Sequence, residues 1–277
     1  MILDSNTFTR QKYDIIKSFL YIYPMSAHNK KQTELHKLLH FLQIDHAADF
    51  SFLDKLSTDE IRTLRLKIID ISQFTQTDIW KRLTGVAKYF PNYMNAKISE
   101  TVMGPLIAAN MSYHMPVKEA ISIMGYMSTP FLASVSELMA PENAKELINQ
   151  IPMHILKKVT TELVSKKKYM TAAGFVDVSD VLRLIELSKI IYKEEDLIRI
   201  STFVENKQYI AKIVEGFSDE RLVKIITVAY QHDMQQEVLT VFTHLSPKEE
   251  QRILKIITQL PVNLKTTVLK DFEERIK

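Results

Sequence analysis

The sequence predicts an all-α protein, an irregular α-solenoid or superhelix built from short antiparallel helix pairs. Three observations lead there. Apolar residues recur at three- and four-residue spacing along most of the 277 positions, the spacing that lines one face of an α-helix. Only 5 glycines are present, and the tight turns of β-hairpins lean on glycine for positive φ. Prolines stand ahead of helical runs at Pro141, Pro152, Pro247 and Pro261, where the first turn of a helix accepts them and its interior does not.

Composition narrows the classes of function. Hydrophobic residues make up 46% and charged residues 25%, the balance of a soluble folded chain. There is no cysteine, which removes disulfides, thiolate nucleophiles and cysteine zinc sites and fits a reducing, cytoplasmic setting. The net charge is +3 with both signs interleaved, so charge gives no case for a nucleic-acid partner. Two windows, Thr101 to Val117 and Ala120 to Ser136, carry no formal charge and reach the roughly 17 residues of the shortest membrane span. Pro105, Asn110, Ser112, His114 and Pro116 in the first, and Ser122, Ser128, Thr129 and Pro130 in the second, argue against a span. Ile15 to Tyr23 is apolar but interrupted by Lys17 and preceded by Asp14, so no signal peptide is expected.

Taken in order, Tyr13, Ile16, Phe19, Leu20 and Tyr23 mark a first helix over Thr9 to Ile22, stopped at Pro24. Met25 to Lys31 reads as a polar loop. Leu35, Leu38, Leu39 and Leu42 give a second helix, and Asp45 to Leu56 a further short one. Ser57-Thr58-Asp59-Glu60 has the spacing of a capping box, in which serine and glutamate satisfy each other's backbone amides. It opens a helix over Ile61 to Ile71, and Thr77 to Tyr89 follows. The Pro91-Asn92 turn divides residues 1–91 from residues 92–277, which together are expected to form one elongated domain. Ile98 to Met139, with charge only at Glu100, Lys118, Glu119 and Glu137, is expected to be a stack of short buried helices and the centre of the core.

Beyond it, helices are expected over Glu142 to Gln150, Met153 to Val164, Val181 to Ile191, Leu197 to Val204, Tyr209 to Phe217, Leu222 to Tyr230, Met234 to Phe242, Lys248 to Leu260 and Leu264 to Ile276. Glu194-Glu195-Asp196 suits the positive end of one of them. Thr171 to Val176 carries no readable pattern. An internal echo runs through this half. Ile151-Pro152 is followed by Ile155, Val159, Glu162 and Leu163, and Leu260-Pro261 at the same offsets by Leu264, Val268, Asp271 and Phe272. Phe217-Ser218 and Leu245-Ser246 form a second pair, with Leu56-Ser57 opening similarly. Recurring helix pairs are the mark of a repeat fold, because one pair alone cannot bury its apolar stripe.

Met139-Ala140-Pro141-Glu142, Ala144, Leu147-Ile148, Ile151-Pro152 and Leu245-Ser246-Pro247 together resemble the amino-terminal cytosolic superhelix of the MgtE family of magnesium transporters. That superhelix is similar to the armadillo-type domains of flagellar motor switch proteins. The resemblance covers roughly Ile98 to Leu260. It implies a superhelical fold. In that family the superhelix continues into CBS modules and a membrane domain that these residues do not contain, so none of the family's metal sites is implied.

Few constellations carry chemistry. His36 and His40 sit one helical turn apart with Asp45-His46 following, a spacing that could hold zinc. Lys37 stands where the metalloprotease motif needs glutamate, and edge histidines are the plainer reading of His36, His40 and His46. Asn110, Tyr113 and His114 could line a pocket in the central stretch. Seven methionines from Met94 to Met139 suit core filling or an adaptable groove. Lys166, Lys167 and Lys168 beside Tyr169 could meet phosphate or an anionic surface, or form a solvated corner. The glycines are too dispersed for a phosphate-binding loop, and no nucleophile elbow is present. The expectation is a non-catalytic, soluble, cytoplasmic interaction or scaffold module with a protein partner and no cofactor. The alternative is a helical metal or small-molecule binder, or an enzyme, with its pocket in the central stretch.

Overall fold

The computed structural model describes residues 30–42, 44, 47–74 and 77–276. The expected Thr9 to Ile22 helix and His46 lie outside them. All regular structure among the described residues is helical. Helix α1 (Lys30–Phe41) leads through 3₁₀ turns over Ala47–Lys55, kinked at Phe50, to α2 (Thr58–Phe74). Then come α3 (Thr77–Ala87) and α4 (Asn92–Ile98), which runs into a π turn over Ser99–Met103. Gly104, at φ 78°, breaks that turn ahead of α5 (Gly104–His114), a backbone region costly for any residue with a Cβ. The chain continues through α6 (Val117–Met124), α7 (Thr129–Glu137), α8 (Pro141–Gln150), α9 (Met153–Ser165), α10 (Tyr169–Val178) and α11 (Val181–Ser188). It closes with α12 (Glu194–Phe203), α13 (Lys207–Glu215), α14 (Asp219–Gln231), α15 (Gln235–Phe242), α16 (Pro247–Ile257) and α17 (Val262–Ile276).

From α3 onward each helix packs on the helix two places further along. The odd-numbered helices form one succession, α3 on α5 through to α15 on α17, and the even-numbered ones another, α4 on α6 through to α14 on α16. Apolar side chains from both successions share their cores. Leu184, Ile213, Leu239 and Val268 from odd-numbered helices join Ile198, Ile226 and Ile253 from even-numbered ones. A neighbouring cluster joins Ala109, Leu132, Leu156 and Leu163 to Ala120, Ile148 and Phe175. The succession passes through Pro91-Asn92 without a break, since α3 packs on α5.

The sequence echoes are helix starts. Ser57, Ser218 and Ser246 each accept a hydrogen bond from the amide three residues on, at 3.3, 3.3 and 3.4 Å. Glu60 returns the bond to the Ser57 amide at 2.7 Å, completing the capping box. The apolar residue before each of the first two serines packs inside the helix it opens, Leu56 in one cluster with Ile61 and Phe217 in one with Leu222, which is the hydrophobic staple. Val159 and Leu163, and their echoes Val268 and Phe272, are all buried.

Helix ends are closed by a device the sequence did not announce. Arg183 on α11 donates to the carbonyls of Ile148 and Ile151 at the end of α8, at 3.2 and 2.5 Å. Arg221 on α14 reaches Ser188 and Ile191 at the end of α11, at 3.2 and 2.5 Å. Arg252 on α16 reaches Phe217 and Glu215 at the end of α13, at 2.6 and 3.3 Å. In each case a guanidinium satisfies carbonyls orphaned at a helix C-terminus three helices earlier, where the dipole favours a cation.

Two expectations change. The Ile98 to Met139 stretch is buried on one face only: Val102, Leu106 and Tyr126 are 77%, 60% and 63% exposed. Absence of charge is not burial, and these short helices each turn one side to neighbours and the other outward. The unreadable Thr171 to Val176 is the middle of α10, with Thr171, Ala172, Ala173 and Phe175 buried. Gly174 lies against the first turn of α8, where an added Cβ would come within 2.5 Å of Pro141 Cγ. Gly174→Ala is therefore expected to destabilise, by roughly 1–3 kcal/mol from overpacking, against the roughly 1 kcal/mol that alanine gains over glycine in a helix. Lys167 takes φ 58° after α9, the position where glycine commonly ends a helix. Lys167→Gly is expected to stabilise by roughly 1 kcal/mol. Urea unfolding midpoints that move in the same direction for both would refute this packing account.

Candidate functional site

A cluster of charged groups forms where α1 and α2 meet the even-numbered helices. α1 presents Lys37 and His40 from the side opposite its buried Leu35, Leu38 and Leu39, and α2 presents Arg62 and Arg65 on one turn. Lys37 Nζ lies 2.6 Å from Glu205 Oε1, and Arg62 pairs with the other oxygen of the same carboxylate. Arg65, whose side chain is only 5% exposed, bonds Glu142 at 2.9 Å and Glu34 at 3.2 Å, with Glu205 at 3.7 Å. Glu142 opens α8, and Glu205 lies in the turn between α12 and α13.

That turn is held from behind by Asp177 at the end of α10. Its carboxylate accepts from the Glu205 amide at 2.9 and 3.1 Å and from the Asn206 amide at 3.1 Å. Burial pushes the Asp177 carboxyl up, although these amides and Lys37 pull the other way. Glu205 ends on the opposite side: burial opposes its charge, but Lys37, Arg62 and Arg65 hold it below the usual carboxylate range. Lys207 follows, donating to the carbonyls of Ser201 and Thr202, and its own pKa is lowered by burial. Near it lies Glu237 on α15, 4% exposed. Its carboxylate is buried beside Lys207 and the Thr202 side chain. Burial raises the Glu237 pKa, and Lys207 and Thr202 offset that only in part.

The residues singled out in the sequence fall around this junction unevenly. His36 and His40 are half-buried on α1, and both have pKa values lowered by burial, His40 also by Lys168. His40 Nε2 is 3.5 Å from the Thr171 hydroxyl on α10. Among the described residues no group of three His, Cys, Asp or Glu side chains could hold a metal ion, and His46 is not among them. Lys166 pairs with Glu162 at 2.9 Å and Lys168 with Glu137 at 2.5 Å, so two of the three lysines are engaged within the chain. Lys167 between them forms the left-handed end of α9. Tyr113 Oη accepts from the Ala140 amide at 2.8 Å, and Asn110 donates to the carbonyl of Leu106 at 2.9 Å. Those two side chains serve the backbone. The cavity of the central stretch, about 150 Å³, is instead lined by Met103, Met111, Met115, Met124, Met127 and Met139, with no contribution from Asn110, Tyr113 or His114. A second apolar cavity of about 100 Å³ lies between α9 and α16 around Phe175 and Ile226.

Arg65, Glu142, Asp177 and Glu205 were not legible as a site. Each is an ordinary charge on an ordinary amphipathic helix or turn, and they meet across sequence separations no local pattern reports. No helix among the described residues is long and apolar enough to cross a membrane. Comparison of the chain with protein-family models, with curated proteins and with solved structures finds no match to any of them. What the fold and the junction define is a class, a protein all-helical over its described residues with an ion-paired seat for its α1–α2 hairpin.

The pH response follows from the signs. His36 and His40 have folded pKa values below the ordinary 6.5, so their contribution is present above that value and is lost as pH falls. Glu205, also depressed, adds a second loss further into the acid range. The contribution of the two histidines is expected to fall from pH 7 to pH 5 and that of Glu205 below it, while the raised Asp177 and Glu237 carboxyls act in the opposite sense, so each contribution is read as the difference between wild type and variant. His36→Gln with His40→Gln should flatten the first step and Glu205→Gln the second. Thermal melting midpoints recorded from pH 7 to 3 check this, and an unaltered profile in both variants would refute the assignment.

Proposed function

We propose that this chain is a non-catalytic helical-repeat scaffold, an irregular α-solenoid that binds a protein partner along its even-numbered helices. The packing of each helix on the helix two further along supports the repeat reading. So does the recurrence of arginines closing helix ends three helices back. Stacked pairs of this kind present an extended surface made from many helices, suited to holding another chain. The observation that carries the proposal is the seating of α1 and α2 on α8, α10 and the turn after α12: this side already holds a pair of helices. The resemblance to the MgtE superhelix enters here for the fold alone.

A second reading, a small apolar-ligand binder, is favoured by the methionine-lined cavity between α3 and α7. Flexible thioethers suit adaptable apolar sites, and a dry apolar cavity of this order can hold a small aromatic molecule.

Affinity capture of the full chain from its native cells, followed by mass spectrometry, decides between them. The scaffold reading expects one dominant protein that is lost in Glu142→Lys with Glu205→Lys, while a cavity-filling Ala108→Phe leaves it bound. Nothing above background would end the scaffold reading. A rise in melting temperature with benzene, abolished by Ala108→Phe, would establish the second.

A further inference from the structure

Helices α1 and α2, the first two described, form a unit whose apolar core stands apart. Leu35, Leu38, Leu39, Leu53 and Ile61 make a buried cluster that shares no residue with the clusters of the remaining helices. The side-chain bonds that cross to the body are ionic or polar, and their charges are segregated by side. Cations come from the hairpin, at Lys37, Arg62 and Arg65, and carboxylates from the body, at Glu142 and Glu205. Asp177 fixes the backbone of the turn that carries Glu205, so the acceptor geometry is set by the body rather than by the hairpin. His40 of α1 also faces this contact, towards Thr171, Lys168 and Glu137.

We propose that the acidic seat formed by Glu142, Asp177 and Glu205 is a docking site for a basic helical segment of a partner protein, and that the α1–α2 hairpin occupies it in the isolated chain. The proposal rests on the scaffold reading above and adds the chemistry of the partner. Charge decides that chemistry. An apolar occupant would cover Glu205 and Asp177 without compensating them, which is strongly unfavourable. An acidic occupant or a nucleic acid would be repelled. A helix carrying two or three Lys or Arg residues on one face reproduces what Lys37, Arg62 and Arg65 supply. Exchange is feasible because the hairpin keeps its own core when it leaves, and Arg65 keeps Glu34, which belongs to the hairpin. Ion pairs that are partly exposed contribute little net stability and weaken with salt.

The test uses the full chain in three forms: wild type, a release variant with Lys37→Glu and Arg62→Glu, and a seat variant with Glu142→Lys and Glu205→Lys. The probe is a fluorescent synthetic peptide of residues 30–74, and the readouts are anisotropy and amide hydrogen exchange. In the release variant the α1 and α2 amides should exchange faster, at the lower stability of a small unit no longer held against the body, while those of α8 to α16 keep their protection. The peptide should bind that variant at least about ten-fold tighter than wild type, because the resident hairpin no longer competes. The seat variant should not bind it, and about 1 M NaCl should abolish binding throughout. Retained hairpin protection in the release variant would overturn the proposal. So would equal peptide affinity for wild type and release variant, or undiminished binding to the seat variant. A cellular partner whose capture survives Glu142→Lys with Glu205→Lys would sink this proposal and leave a scaffold with a different surface. Absence of any cellular partner would remove the scaffold reading itself.

Discussion

A helix of eight to thirteen residues cannot stand alone in water, because its nucleation cost is not recovered over so few hydrogen bonds. Most of the helices from α4 to α16 are of this length. Each depends on its apolar stripe being covered, and the covering surface is the helix two places along. That dependence explains why the cores are continuous mixtures of both successions rather than a single central knot. It also explains why the helix ends matter so much. With many short helices, orphaned amides and carbonyls form a large share of the backbone, and the serine caps and reaching arginines answer both ends.

The α1–α2 hairpin obeys a different rule. Most of its apolar residues cover one another, Ile69 being buried outside that cluster, and the side-chain bonds that join it to the body are ionic or polar. Two kinds of adhesion thus coexist in one chain. The apolar packing among α3 to α17 is insensitive to salt and continuous. The ionic junction at Glu142, Asp177 and Glu205 depends on salt and pH, and its geometry is fixed by backbone amides. A partner can exchange with an element held in the second way without disturbing elements held in the first. Glu237 and Lys207, next to this junction, add a buried carboxylate and a buried ammonium whose charges are both penalised by their surroundings.

The helices after residue 141 were legible because their signals are local: apolar spacing of three and four, proline at the first turn, serine before an acidic turn. The capping box at Ser57 and Glu60 and the acidic start of α12 appear as their residue types dictate. The central stretch misled for a physical reason. A lack of charge suggests interior positions, yet Val102, Leu106 and Tyr126 face outward. The helix α10 was unreadable because Gly174 lowers helix propensity and Thr171 to Phe175 is apolar all round. Only the approach of Pro141 shows why glycine is there. The candidate site was hidden more completely, since Arg65 meets residues 77 and 140 positions later and neither encounter leaves a periodic trace.

By itself the sequence determined that the described residues are helical, where most helices begin and end, and, after residue 141, much of which face points inward. Those properties depend on neighbours a few positions away, whose chemistry is written in order. Tertiary structure alone decided that α1 and α2 form a separately cored hairpin, which carboxylates receive it, and which arginines close which helix ends. Those are contacts between distant residues of unremarkable type, and the rule that selects them is the geometry of stacking.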